Sequence, residues 1–175
     1  IKNKQAGKPA YILIKINHIT DPVMVKKLYE ASSHGVRIDL LVRGNCSLIT
    51  GVPGVSDAIR INGIIDRYLE HSRIFIFENA GDMICLTGSA DWMPRNLDNR
   101  IEVLTPVYDK EIQTELKRIV EYGLKDSLQG RQVDGTGQNI PWKNEDHSLF
   151  RSQSALYHYY QEDIQGITTN NIPHE

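Results

Sequence analysis

Cysteine is scarce in these 175 residues, and so are phenylalanine (three) and tryptophan (two). Cys46 and Cys85 stand apart, with no Cys-x-x-Cys and no Cys/His cluster around either. That excludes a disulfide-framed module and a zinc finger, and the two thiols read as buried or half-buried groups in a reducing compartment. His18, His34, His147, His158 and His174 show no metal-ligand spacing and read as surface or capping groups. No apolar run approaches the roughly 18 residues of a membrane span, and no signal peptide opens the chain. Charge of one sign is missing too. Twenty Lys and Arg against 22 Asp and Glu give a net charge of -2, so there is no general basic surface for nucleic acid, although one cleft can still concentrate positive charge. A Met start is absent, and the opening Ile1-Lys-Asn-Lys-Gln reads as a piece cut from a longer protein.

What is present is an ordinary globular composition, 40% hydrophobic and 24% charged, at a length that suits one domain or two small ones. Residues 10–17 are rich in β-branched residues and predict a strand. Asp21-Pro22 then reads as a helix cap followed by Pro at the first helical position. The helix Pro22–Ser33 would place Val25, Leu28 and Tyr29 on one side and stop at Gly35. Residues 36–42 give a second strand, so the opening is a βαβ unit with a parallel pair. Residues 59–70 read as a short strand followed by one or two helical turns. Arg73–Phe77 and residues 83–87 read as a hairpin about a turn at 78–82. Residues 88–99 read as a polar loop, 100–106 as one more strand, and 109–124 as a helix capped by Asp109, with Ile112, Leu116, Ile119 and Val120 as its apolar side. The expected architecture is α/β, a mixed and mostly parallel sheet flanked by helices. Residues 1–124 would form the catalytic half-domain. Residues 125–175 would be an irregular extension packed on it, Gly-, Gln- and Asn-rich over 129–142, with a short helix over 152–162 and a frayed last dozen residues.

The stretch with chemistry in it is His71-Ser-Arg-Ile-Phe-Ile-Phe-Glu78, followed by Gly88-Ser-Ala-Asp-Trp92. Alternation along a strand puts His71 and Arg73 on one face. An imidazole titrating near neutrality can attack phosphorus or hand a proton to a leaving oxygen. A guanidinium two residues on can hold phosphate oxygens by two hydrogen bonds, and Ser89, Asn96 and backbone N–H groups at Gly88 can add neutral donors. Arg73 could instead pair with Glu78 or Glu102, and Glu78 suits orienting a neighbour better than acting as a base. Arg43, leaving the second strand at its C-terminal end, sits where open α/β sheets bind ligands. Lys15 and Asn17 leave the first strand at the same edge. Asp91 and Trp92 are read as pinning the loop, and Tyr157-His-Tyr-Tyr160 as helix packing rather than a base-stacking platform.

The pattern resembles the phospholipase D signature, His-x-Lys-x(4)-Asp followed by Gly-Ser-x-x-Asn. It departs in having Arg73 for Lys, Glu78 for Asp, a longer spacer and Trp92 where Asn would stand. A closer resemblance is carried by Thr20-Asp-Pro-Val-Met24, Asp39-Leu-Leu-Val-Arg-Gly44, Gly51-Val-Pro-Gly54, Leu69-Glu-His-Ser-Arg-Ile74, Gly88-Ser-Ala-Asp-Trp-Met93, Arg95-Asn-Leu-Asp-Asn-Arg100 and Arg151-Ser-Gln-Ser-Ala-Leu-Tyr157. In this order, over residues 7–162, they look like the last catalytic domain of the bacterial polyphosphate kinase family.

That resemblance implies a phospholipase D-like fold in which two related domains face each other and each gives a histidine to one active site. The other domain's histidine would become the phosphohistidine, and His71 would be the second active-site histidine. Arg43 and Arg100 would contact nucleotide or chain phosphates. ATP or ADP and inorganic polyphosphate would be the substrates, with Mg²⁺ neutralising the triphosphate. The resemblance also implies the remaining domains of a longer enzyme as partners, a homo-oligomer, and a cytoplasmic location with peripheral membrane association as an open alternative. Two rivals stay in view, a phospholipase D-like phosphodiesterase or nuclease half-site, and a non-catalytic module that only binds nucleotide or polyphosphate.

Overall fold

The run Tyr11-Ile-Leu-Ile-Lys-Ile16 contains no turn former and becomes β1 (Tyr11–Ile16), buried from Leu13 onward. It lies fourth in a seven-stranded sheet in a computed structural model that describes residues 1–170, following a single-turn helix α1 (Lys2–Gln5). Asp21 caps α2 (Pro22–Ser33), its carboxylate accepting from the backbone N–H of Met24 at 2.8 Å. Proline at the next position is ready-set for the first helical turn. The chain turns at Gly35 with φ +77°, which only glycine adopts freely, and returns as β2 (Arg37–Val42), parallel to β1. β3 (Ile59–Gly63) adds a second parallel pairing.

On the other side of β1 the pairing changes direction. β4 (Arg73–Phe77) runs antiparallel to β1, β5 (Ile84–Gly88) returns beside β4, and β6 (Leu104–Pro106) closes that edge. A two-residue strand, β7 (Arg131–Gln132), pairs antiparallel with β3 at the opposite edge. The order is β6-β5-β4-β1-β2-β3-β7. The sheet is mixed as expected, but it is mostly antiparallel. Two pairings are parallel and four antiparallel, because short connections such as 78–83 can only join neighbouring strands head to tail.

The last helices are α3 (Pro94–Asn99), α4 (Lys110–Leu124) and α5 (Ser152–Asn170). α3 lies within the expected polar loop. The strand expected over 100–106 shrinks to β6, and residues 64–72 form no helical turn. α5 outlasts the expected short helix, and of the dozen terminal residues expected to fray, 171–175 lie outside the described residues.

Two apolar layers sandwich the sheet. Ile14, Ile16, Ile38, Leu40 and Phe75 pack with Leu28 and Ala31 of α2. Leu13, Leu41, Ile74 and Ile76 pack with Leu116, Ile119 and Val120 of α4. Ile112, expected on the apolar side of α4, is half exposed instead. Cys85 is buried, Cys46 half-buried, and both are free; burial pushes both thiols above the ordinary cysteine pKa. At the β6 edge, Ile101, Val103, Leu104 and Tyr108 are exposed.

Candidate active site

The antiparallel turn of β4 decides where the chemistry gathers. Since β4 runs against β1, its beginning lies at the rim where β1 and β2 end. Register then brings Arg73 opposite Gly88, and Gly88 opposite Leu104. His71, Arg43, Lys15, Asn17, Ser89 and Glu102 therefore share one rim, although Lys15 and Glu102 lie 87 positions apart in the chain. Gly88 makes the approach possible, because a Cβ there would meet the carbonyl oxygen of Val103 at 2.3 Å.

At the centre of the rim the guanidinium of Arg43 is held at 2.9 Å by Nε donating to the amide oxygen of Asn17, and its Nη2 lies 3.1 Å from Nδ1 of His71. An arginine can only donate, so Nδ1 accepts, and the proton of the neutral imidazole is assigned to Nε2. The ring is exposed. Its pKa is held below the ordinary histidine value, first by the positive charge of Arg73, then by partial desolvation and by Arg43. At neutral pH the free ring is thus uncharged, with an N–H facing outward. Arg43→Gln removes one of the opposing charges, so the midpoint of the His71 titration, followed by the ring C–H resonances in NMR, is expected to move upward toward ~6.5. An unmoved midpoint would mean that the Arg43 contact is not kept in solution.

Arg73 is placed differently from the expectation. The strand begins at Arg73, so His71 stands in the preceding loop rather than alternating with it on one face. The Arg73 guanidinium turns inward and forms a buried, two-point pair with Asp91, Nη2 to Oδ2 at 2.9 Å and Nε to Oδ1 at 3.3 Å. Its Nη1 donates to the carbonyl oxygen of His71 at 2.9 Å. Asp91 also accepts from the backbone N–H groups of Asn17 and His18. Burial by itself would raise the Asp91 pKa, yet these donors, Arg73 foremost, hold it below the usual carboxylate value. Neither Glu78 nor Glu102 takes Arg73. Glu78 lies at the far end of β4 and caps the hairpin turn through the N–H of Gly81. Trp92 pins the loop as expected, stacking on Phe75 with ring centroids 5.5 Å apart.

Ser89 and Asn96 both donate to Glu102, Asn96 at 2.6 Å. Their polar groups are committed to closing the loop around α3, and Asn96 is buried. Arg100 follows α3 and is exposed, with no hydrogen bond or ion pair among the described residues, although, after the hydrogen bonds from Ser89 and Asn96, its charge helps to hold the Glu102 pKa down. Lys15 is buried; desolvation lowers its pKa, and Glu70 at 3.4 Å works against that fall. Lys15 also donates to Ser72 Oγ at 2.9 Å. Glu70 carries no signal in the sequence beyond its place next to His71. Among the described residues no group of three or more His, Cys, Asp or Glu is placed to hold a metal ion. The rim carboxylates Glu70, Asp91 and Glu102 are already engaged, so these side chains do not form a seat for Mg²⁺.

The architecture has counterparts. The model of the family described as "Polyphosphate kinase C-terminal domain 2" matches residues 1–153. The chain belongs to that family. A polyphosphate kinase of Thermosynechococcus vestitus is 54% identical over 173 residues, an alignment covering 95% of this chain and 23% of the relative. The solved polyphosphate kinase of Porphyromonas gingivalis superposes with a TM-score of 0.89 at 41% identity, over 94% of this chain and 25% of that one. The chain thus spans about a quarter of the length of the polyphosphate kinases it matches. Nuc of Salmonella typhimurium, a phospholipase D family member, shares the fold at TM-score 0.51 and 17% identity, over 70% of this chain and 80% of that one. Within this polyphosphate kinase C-terminal domain, no helix among the described residues is long and apolar enough to cross a membrane.

Proposed function

We propose that this domain supplies one half of the active site of a polyphosphate kinase. The complete enzyme would move the γ-phosphoryl of ATP reversibly onto the end of inorganic polyphosphate, through a phosphohistidine formed in its other catalytic domain. The observation that carries the reading is the Arg43–His71 contact at the open rim. A neutral imidazole and a cation always ready to donate stand side by side there, and among the described residues no carboxylate binds either.

Phosphoryl transfer asks mainly for positioning and neutralisation of charge. Arg43, held by Asn17, presents a fixed guanidinium to phosphate oxygens. Arg100, exposed and without a hydrogen bond or ion pair among the described residues, is the second phosphate contact. His71 presents Nε2–H to an oxygen of the group in flight. An arriving polyanion draws the Arg43 Nη2–H off Nδ1 onto its own oxygens, reverses the local field and raises the proton affinity of the ring, so that the freed Nδ1 takes a second proton from solvent. The resulting imidazolium can then protonate the leaving oxygen. Arg73, Ser89 and Asn96, engaged with Asp91 and Glu102, serve to hold the loops. Mg²⁺ is assigned to the incoming triphosphate, where it would neutralise phosphate charge, and no side chain of this domain is assigned to hold it. ATP or ADP, polyphosphate and the enzyme's remaining domains are the proposed partners. A cytoplasmic homo-oligomer, with peripheral membrane association as the alternative site, is the proposed setting.

The test is the full-length enzyme supplied with ATP. ATP-dependent growth of acid-labile phosphate chains is expected, with ADP released in step. The isolated 175-residue chain, which lacks the partner histidine of this scheme, is expected to make none. Hydrolysis of a phosphodiester by the isolated chain or the full-length protein, without chain growth, would transfer the site to the phosphodiesterase class.

A further inference from the structure

His71 does not stand on a strand, so something other than the sheet ladder must fix it. Residues 64–72 carry exposed Ile65, Tyr68 and Leu69 and have no regular structure of their own. Such a segment would ordinarily be mobile. Here it is gripped from outside. Gln153, in the first turn of α5, accepts from the N–H of Tyr68 at 2.9 Å and donates both to the Tyr68 carbonyl and to Glu70 Oε1, each at 2.9 Å. Arg151 forms a two-point pair with Asp66, Nε to Oδ2 at 2.9 Å and Nη2 to Oδ1 at 2.6 Å. Glu70 passes the grip inward to Lys15, which holds Ser72.

The grip is itself anchored. Asp126, fully buried, accepts from the N–H and the hydroxyl of Ser152 at 2.7 Å each and so caps α5. Its other oxygen closes the turn after α4 through the N–H groups of Leu128 and Gln129. Asn62 of β3 donates to the carbonyl of Asp126 at 3.1 Å. The start of α5 is therefore tied to the end of α4 and to the sheet. His71 is pinned from the interior by Arg73 on its carbonyl and from the exterior through Gln153.

We propose that Gln153 and Arg151 are positioning residues of the active site, holding the 64–72 loop so that His71 meets Arg43 at the rim. The inference rests on the proposed role of His71. It gives the Arg151–Tyr157 motif, which touches no substrate-facing group, a function in the reaction. It also predicts a particular kinetic signature. Arg43 keeps its anchor on Asn17 when the loop loosens and gives up only its contact with His71, so loosening the loop harms the chemical step and leaves phosphate binding alone.

The experiment uses the full-length enzyme, with turnover normalised to folded protein by circular dichroism. Gln153→Ala is expected to lower kcat about tenfold, the scale on which sub-ångström misplacement is felt, with KM for ATP within about twofold. In a His71→Ala background the same change is expected to cost nothing further, since two residues acting through one group are non-additive. Arg151→Lys keeps the charge and the Asp126 cap but loses the fork. It is expected to lower kcat about threefold, and it carries the comparison if Gln153→Ala folds poorly. Unchanged kcat per folded molecule in both variants, or an undiminished loss in the His71→Ala background, would overturn the clamp. Wild-type turnover in His71→Ala alone would instead remove the role of His71 on which the clamp depends.

Discussion

His71→Ala in the full-length enzyme is expected to cut kcat about 100-fold or more, the usual scale for removing a positioned proton donor. KM for ATP should change little. Arg43 would remain anchored on Asn17 at 2.9 Å, and Arg100 would still be exposed. The two readouts together separate the reading from its rivals. A module that only binds polyphosphate would lose affinity and keep turnover. A fall in kcat/KM carried wholly by KM would mean that the ring is a binding group and takes no part in the chemical step.

The second large effect concerns folding. Asp91→Ala removes the partner of a guanidinium whose side chain is 11% exposed and leaves it without compensation in the interior. It also strips acceptors from the N–H groups of Asn17 and His18. Breaking such a pair costs on the order of 3–5 kcal/mol. The midpoint of urea unfolding is expected to fall accordingly, with the dependence on denaturant unchanged. Removing both partners together, with Arg73→Leu added, should recover part of the loss, because no charge is then stranded. The pH dependence has a definite sign. Asp91 has a depressed folded-state pKa, so its contribution is complete above the unfolded carboxylate value of ~3.9 and disappears as pH drops through the folded value. Wild type should therefore lose stability on acidification below pH ~4 more steeply than Asp91→Ala. Parallel acid-unfolding curves would contradict this.

Much of this was legible from the chain. The cap at Asp21, the parallel pair of β1 and β2 and the 73–88 hairpin are local signals, and local signals survive folding. So did the placement of Arg43 at the C-terminal end of β2, because a strand's end is a local property. The direction of the sheet was less readable. Nothing in residues 43–72 announces that β4 will enter on the far side of β1, and with that entry the sheet becomes mostly antiparallel. The partner of Arg73 was hidden for a related reason. Glu78 and Glu102 are acids plausible by spacing, whereas Asp91 reaches Arg73 only once β5 has returned and the loop has folded back beneath Trp92. Glu70 and Gln153, 83 residues apart, are joined purely by tertiary packing. Their side chains are ordinary surface types, with no periodicity to mark them.

The two margins of the sheet end in different ways. β7 is two residues long, and the chain folds back across it through a bridge from Arg131 to Pro141. β6 is three residues long and ends in Pro106, which has no amide hydrogen to offer. Neither margin is a good template for adding a foreign strand. The uncovered side chains beside β6, Ile101 above all, still invite contact with any apolar surface. In concentrated solution the 175-residue chain on its own should therefore form reversible, shapeless clusters that a mild detergent disperses, and it should not seed fibres.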